Sequence, residues 1–410
     1  MVEFGCFTEF LRYRTWGNAE RANGTPGMEL IRSAIDLTPK ESAVLSTLSA
    51  GSGGLVSYDA LLDHVWPDKD VGIASLNRCV CTLRRKLANG VSIRTHSRRG
   101  YSLLVVDRNP SSVRVGNLVD QVRETLGLRL NGNIQAAIRL LQEAMRLDPE
   151  HAPARLHLAE VYGLAASRGY MPPRPAGRLA REALLPLLQR DPDNAHALSL
   201  DGRLRILIEG DFSGRKDIDR AVELAPTNWL VMTNAGIART GLGDLDGALS
   251  ACESALALNP AAPGVIVAFG WSLFASGQWI RARTLLEDAN RLLPSQDYFP
   301  LVLSYVLSSL QSHPAAVAAA RRALALSGGD ANARAALVSA LALAGQETDA
   351  RRELALLRAN NPLHPSPTLL ARGLLALEGS EALRAAILEA EDQGCPYRFL
   401  ALHDPQLANP

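Results

Sequence analysis

Acidic residues are missing from the one stretch where basic residues crowd. From Ile73 to Tyr101 the chain reads IASLNRCVCTLRRKLANGVSIRTHSRRGY, with no Asp or Glu and seven Arg or Lys among 29 residues (Arg78, Arg84, Arg85, Lys86, Arg94, Arg98 and Arg99). The whole chain carries a formal charge of only +1, so this positive charge is concentrated rather than shared. Cysteine is scarce as well. Cys6, Cys79, Cys81, Cys252 and Cys395 are scattered, odd in number and form no CxxC pair, which supports neither a disulfide framework nor a zinc site and suits a cytoplasmic location. No phosphate-binding glycine loop, GxSxG elbow, HExxH helix or dinucleotide fingerprint occurs, so no enzyme chemistry, cofactor or metal is expected. His151 and His157 have no third ligand nearby, and a surface or capping role is expected for both. The opening MVEFGCFTEFLRYR lacks the continuous apolar core of a signal peptide. Two uncharged runs, Pro260 to Ile280 and Tyr298 to Ala320, are long enough to cross a bilayer. Both contain Pro, Ser and Gln and both fall in register with a repeat, so buried solenoid helices are expected and no membrane contact.

The first half of the basic stretch has helical periodicity. Leu76, Val80, Leu83 and Leu87 stack on one face. The opposite face holds Ala74, Arg78, Cys81 and Arg85, flanked by Asn77, Thr82 and Arg84. Asn89-Gly90 stops the helix, since either residue tolerates a left-handed cap. Two short β-like segments follow, around Ile93 and over Ser102-Leu103-Leu104-Val105, joined by the basic tip Ser97-Arg98-Arg99-Gly100. An ordinary solvated helix mixes both signs, because i,i+4 Glu–Lys pairs stabilise it. A helix with one dry face and one purely basic face, followed by a basic hairpin, suits a DNA groove and its flanking phosphates. The expected contacts are Asn77, Arg78, Cys81, Thr82, Arg84, Arg85, Thr95, Arg98, Arg99 and Tyr101.

Ahead of that stretch, Phe4–Leu11, Tyr13–Trp16 and Met28–Leu37 look like short strands. Thr38-Pro39-Lys40-Glu41 is a strong helix start: Thr caps, Pro takes the first helical position, and Glu three residues on closes a capping box. That helix turns Val44, Leu45 and Leu48 inward and ends at Gly51-Ser52-Gly53-Gly54. Ser57 caps a second helix, with Leu61, Leu62 and Val65 inward, halted by Trp66-Pro67. The order is strands, three helices, hairpin. Taken together, Leu37-Thr38-Pro39-Lys40-Glu41, Val56-Ser57, Leu61-Leu62, Val65-Trp66, Ser75-Leu76, Leu83-Arg84-Arg85-Lys86-Leu87 and Arg99-Gly100-Tyr101 resemble the OmpR/PhoB-type winged helix-turn-helix over about Met28 to Val106. The resemblance implies a third helix in the major groove, with Cys79, Cys81, Thr82 and Arg84 at groove-contacting positions, and a hairpin wing on the minor groove. Where many members have an arginine in the wing this chain has Ser97, with Arg98 and Arg99 following it. Fewer than 40 residues precede the first of these helices, too few for the receiver domain of about a hundred residues that most relatives carry.

Asp107–Asn117 is expected to be a polar linker. After it the chain repeats. Pro192, Pro226, Pro260 and Pro294 are each 34 residues apart, and the same ruler reaches Gly328, Pro362 and Pro396. Gly202, Gly236 and Gly270 recur within the first helix, and Ala221, Ala255, Ala289 and Ala323 within the second. Pro149 lies 43 residues before Pro192, and Ser167–Pro175 is the expected place for the nine extra residues. In Asp244-x-Asp246 the carboxylates are expected to cap a helix. A 34-residue period with this pattern resembles tetratricopeptide repeats, roughly eight of them, whose stacking makes a superhelix with a concave groove. The expected fold is mainly α: a winged helix-turn-helix (α+β) domain over 1–107, a linker over 108–117, and an α-solenoid over 118–410. This architecture resembles the HilA-like activators of invasion and virulence genes. The resemblance implies a transcriptional activator on double-stranded promoter DNA, contact with RNA polymerase, and a protein or peptide partner or self-association through the repeats. An interaction scaffold, or a small-molecule sensor with its effector in the groove, are the alternatives.

Overall fold

Thr38 starts the first helix as its sequence requires. In a computed structural model of the chain, the Thr38 amide donates to Glu41 Oε2 at 2.8 Å and the Glu41 amide donates back to Thr38 Oγ1 at 3.4 Å, closing the capping box. The structure describes residues 37–50, 54–67, 71–86, 91–96, 99–105, 114–122, 134–359, 364–404 and 407. The strands expected before Leu37 and the stop at Asn89-Gly90 lie outside these residues. The chain divides into two compact units, one within 14–117 and the other built on 118–410.

In the first unit, α1 (Pro39–Ala50) is followed by β1 (Val56–Ser57), α2 (Tyr58–Val65), α3 (Ile73–Lys86), β2 (Val91–His96) and β3 (Gly100–Val105). Ser57 caps α2 by accepting from the Ala60 amide at 3.2 Å. The strands form an antiparallel sheet in the order β1-β3-β2, with Val91 opposite Val105, His96 opposite Gly100 and Val56 opposite Tyr101. Gly100 is obligatory there: its φ is +146°, and a Cβ would stand 1.9 Å from the Val56 carbonyl oxygen. Val44, Leu45 and Leu48 of α1, Leu61 and Val65 of α2, and Leu76, Val80 and Leu83 of α3 form one core with Ile93, Tyr101 and Leu103 of the sheet. Leu62 is only half-buried at its edge.

The expected linker is corrected in part. Residues 114–122 are helical, and Val115, Val119 and Val122 are buried at helical spacing. The polar composition of Asp107–Asn117 hides the first of these apolar positions.

The second unit is a stack of helix pairs. Second helices end at Arg190, Leu224, Leu258, Leu292 and Leu326, each 34 residues after the last. From Ala152 onward the described residues form seven pairs, with Ile134–Leu147 packed ahead of them. Ala221, Ala255, Ala289 and Ala323 are all buried, and Gly236 lies where a Cβ would meet Cys252 Sγ at 2.4 Å. Asp244 caps its helix through the Gly247 amide at 3.1 Å. Both uncharged runs are divided between the helices of a pair, and among the described residues no helix is long and apolar enough to cross a membrane.

The nine extra residues do not bulge out at Ser167–Pro175. Compared with the pair Trp229–Leu242 and Leu245–Leu258, two extend the first helix (Ala152–Ser167), three lengthen the turn, and four extend the second (Pro173–Arg190). Nor is the turn a surface loop. Arg168 is buried against Asp297 at 2.6 Å with its guanidinium 3.6 Å from the Tyr298 ring centroid, and the Gly169 carbonyl accepts from the His364 amide at 2.7 Å. His151 caps a helix through the Ala154 amide. His157 is the exception to the expected surface role: it is buried on Glu160, whose other oxygen is held by His196 at 2.9 Å. Burial opposes the Glu160 charge, but these two imidazoles pull its carboxyl far below the usual range.

Candidate nucleic-acid interface

Helix α3 is held by three fully buried side chains, Leu76, Val80 and Leu83, so its other face must point outward. Ala74, Asn77, Arg78, Cys81 and Arg84 are exposed there and Thr82 is half-buried, its hydroxyl returned to the Arg78 carbonyl at 3.1 Å. Cys79, which the family resemblance placed in the groove, is half-buried against the core, and burial raises its thiol pKa. Beyond the helix, Arg94, Thr95 and Arg99 are exposed on the hairpin. Among the described residues no carboxylate pairs with Arg78, Arg94 or Arg99. The side chain of Arg85, and Ser97 and Arg98 at the tip, lie outside the described residues.

Four of the candidate residues turn out to be joined to one another. Arg84 Nε and Nη2 donate to the Ile93 carbonyl at 3.0 and 2.6 Å, and Nη2 also reaches Thr95 Oγ1 at 2.6 Å. The same guanidinium lies 5.8 Å from the Tyr101 ring centroid. The Tyr101 hydroxyl donates to Asn77 Oδ1. Tyr101 is only 4% exposed and Tyr58 packs edge-on against it, so it is corrected from a surface contact to a buried tie between helix and hairpin. Burial and the neighbouring Tyr58 raise its pKa. Sequence periodicity could not separate Arg84 from Arg78, because both project from the non-core side. Only the fold brings Ile93 beneath one of them.

One basic residue of the stretch is neutralised from outside it. Lys86 donates to Glu41 Oε2 at 2.8 Å, and Glu41 is 4% exposed. Burial alone would raise the Glu41 carboxyl, yet the hydrogen bonds from Lys86 and Thr38 hold it below its ordinary value. Nearby, Lys40 Nζ donates to the Val65 carbonyl at 2.9 Å and sits over the Trp66 ring. Glu41 and Lys40 therefore fasten α1 to α3 and α2. The described residues include no group of three or more His, Cys, Asp or Glu placed to hold a metal ion.

A winged helix-turn-helix followed by a tetratricopeptide solenoid is the class these two units define. Residues 32–103 match the family described as "Transcriptional regulatory protein, C terminal", and residues 128–162 and 240–301 match tetratricopeptide repeats. The chain thus carries an OmpR/PhoB-type domain in its N-terminal part and tetratricopeptide repeats after it. It is 46% identical over 61 residues to the transcriptional regulator HilA of Salmonella typhimurium, and equally to that of Salmonella typhi, a match covering 14% of this chain and 11% of each relative. The chain therefore spans about a tenth of the curated relatives it matches. Among solved structures, the Cut9–Hcn1 hetero-tetramer of the APC/C shares the solenoid fold, with a TM-score of 0.50 and 15% identity over 74% of this chain and 55% of that one.

Proposed function

We propose that this protein is a cytoplasmic DNA-binding transcriptional activator, with residues 28–106 on promoter DNA and residues 118–410 as its control module. The observation that carries the proposal is the outward side of α3 and the hairpin, where Arg78, Arg94 and Arg99 stand without acidic partners among the described residues. Arg78 and Cys81 face the major groove and read bases, while Arg98 and Arg99 hold phosphates at the wing. Arg84, Thr95, Asn77 and Tyr101 fix the angle between helix and wing. The 61-residue similarity to the transcriptional regulator HilA supports a role in transcription, and activation would proceed through contact with RNA polymerase. The repeats act by binding a protein or peptide partner or by self-association. The test is to delete Leu118–Pro410 and measure promoter output and solution mass together with DNA binding. The proposal expects DNA binding to persist and regulated output to be lost. Regulated output from a monomeric remainder would contradict a controlling role for the repeats, and absence of DNA binding by the full chain would contradict the whole assignment.

A further inference from the structure

In a tetratricopeptide superhelix the first helix of each pair lines the concave side, and that side is ordinarily open to a ligand. Here it is not open. From Tyr298 to Ser308 every residue of one first helix is buried, and Ala331–Leu343 and Pro263–Ala275 are buried almost all round. The second helices, by contrast, bury a single stripe, as Ala282, Leu286, Ala289 and Asn290 do in Trp279–Leu292. Part of what covers the inner face is the chain itself: the turn at Ser167 and Arg168 lies on Asp297, Tyr298 and Asn332, and residues 395–404 lie on Trp271, Tyr298 and Arg372.

This segment leaves the 34-residue order. After Ser380–Gln393, Gly394 turns at φ +68°, at a point where a Cβ would lie 2.2 Å from the Ile208 carbonyl oxygen. The short helix Phe399–His403 then touches the first helices Trp229–Leu242, Pro263–Ala275 and Pro367–Glu378 instead of stacking beyond the last pair. Its anchors are of two kinds. Tyr397 and Phe399 sit 5.7 and 6.0 Å from Trp271, and the Tyr397 hydroxyl donates to that of Tyr298 at 3.3 Å. Asp404 accepts from Arg372 Nε and Nη2 at 2.5 and 2.8 Å, and neither residue is more than 1% exposed. Arg398 donates to the Ile206 carbonyl between them.

Cys395, Tyr397, Phe399 and Leu400 join the apolar cluster of the inner helices, and Arg372 and Asp404 add a buried ion pair beside it. Desolvation offsets most of the attraction within a buried ion pair, so such a pair specifies register more than it adds tightness. The fit also leaves two polar atoms over: Trp271 Nε1 and His403 Nε2 are buried without a hydrogen-bond partner among the described residues.

We propose that the inner face is a peptide-binding groove that recognises two aromatic side chains two positions apart followed by a carboxylate, with residues 395–404 as its resident occupant. A partner protein presenting the same pattern to Trp271 and Arg372 takes the groove by displacing that segment. The inference rests on taking the repeats as an interaction module, but its test uses no DNA, so its failure leaves the DNA-binding assignment untouched.

The test is hydrogen exchange on the full chain, with and without a synthetic peptide of residues 395–407. The backbone amides of 397–404 should exchange about tenfold or more faster than those of Tyr298–Ser309, through local release. The peptide, added in excess, should speed their exchange further by taking their place. The same peptide with Asp404→Asn should be about 100-fold weaker, because it leaves the Arg372 charge buried and unpaired. Exchange of 397–404 at the rate of the inner helices, unchanged by the peptide, would make the segment a fixed part of the core and overturn the proposal. Equal potency of the two peptides would overturn the recognition at Arg372.

Discussion

The two units treat their arginines in opposite ways. In the repeats, Arg181 is paired with Asp201 and Glu209, Arg205 with Asp211 and Asp217, and Arg220 and Arg281 reach carboxylates of the preceding pair, Asp193 and Glu253. In the winged unit, Arg78, Arg94 and Arg99 face outward with no carboxylate among the described residues. A formal charge of +1 conceals this, because many arginines of the repeats are paired within them, whereas the outward arginines of the winged unit have no acidic partner among the described residues. Charge count alone does not define such a surface either. Arg84 and Lys86 belong to the same basic run, yet one is spent on the Ile93 carbonyl and the other on Glu41. Pairing decides.

The comparison would break most visibly if the winged core were hollowed out. Leu83→Ala removes a fully buried side chain from the face that aims α3, and should cost about 2–5 kcal/mol. Calorimetry should show the winged unit's transition abolished or lowered while that of the repeats stays, and DNA binding should go with the first. A uniform fall of both would mean that the two units do not melt separately.

Glu41→Gln should have a smaller effect with a distinctive pH dependence. The folded pKa of Glu41 lies below its unfolded value, so its stabilisation is complete above the unfolded pKa and fades as pH falls through the folded one. Replacing it should cost about 1–3 kcal/mol near neutrality, since Lys86 loses its buried partner. As pH falls below the ordinary glutamate range the difference between variant and parent should shrink. A gap that stays constant from neutrality to below that range in denaturant titrations would show that the ion pair is not what Glu41 supplies.

Arg281→Ala is expected to have the least effect. Its pair with Glu253 joins two half-exposed side chains, so the destabilisation should stay within about 1 kcal/mol. Affinity for DNA should be unaltered at any salt concentration. A change in salt dependence would place the repeats on the nucleic acid.

Most of this fold was legible in the sequence because its signals are local. The capping box at Thr38, the apolar stripe of Leu76, Val80 and Leu83, and the 34-residue ruler each lie within a few turns of chain or repeat at a fixed period. What was not legible depends on residues far apart. Arg168 finds Asp297, Arg372 finds Asp404, and Trp271 finds Tyr397 only once the superhelix has curved. The candidate site divides in the same way. Its outward face followed from periodicity, whereas the conversion of Tyr101, Asn77 and Arg84 into internal ties required the hairpin to fold back on α3.

The outward arginines of the winged unit either are the DNA-binding surface or are not, and one titration separates the two. The measurement is the affinity of the full chain for a promoter duplex across a salt series, for the parent, Arg78→Ala, Arg99→Ala and the double variant. Removing an arginine that neutralises one phosphate should lower the log–log salt slope by about one, so Arg99→Ala should flatten it. Arg78→Ala should in addition reduce discrimination against a mismatched site by about 1–3 kcal/mol. A slope and a site preference that are the same in all four proteins would contradict the assignment of this face to DNA.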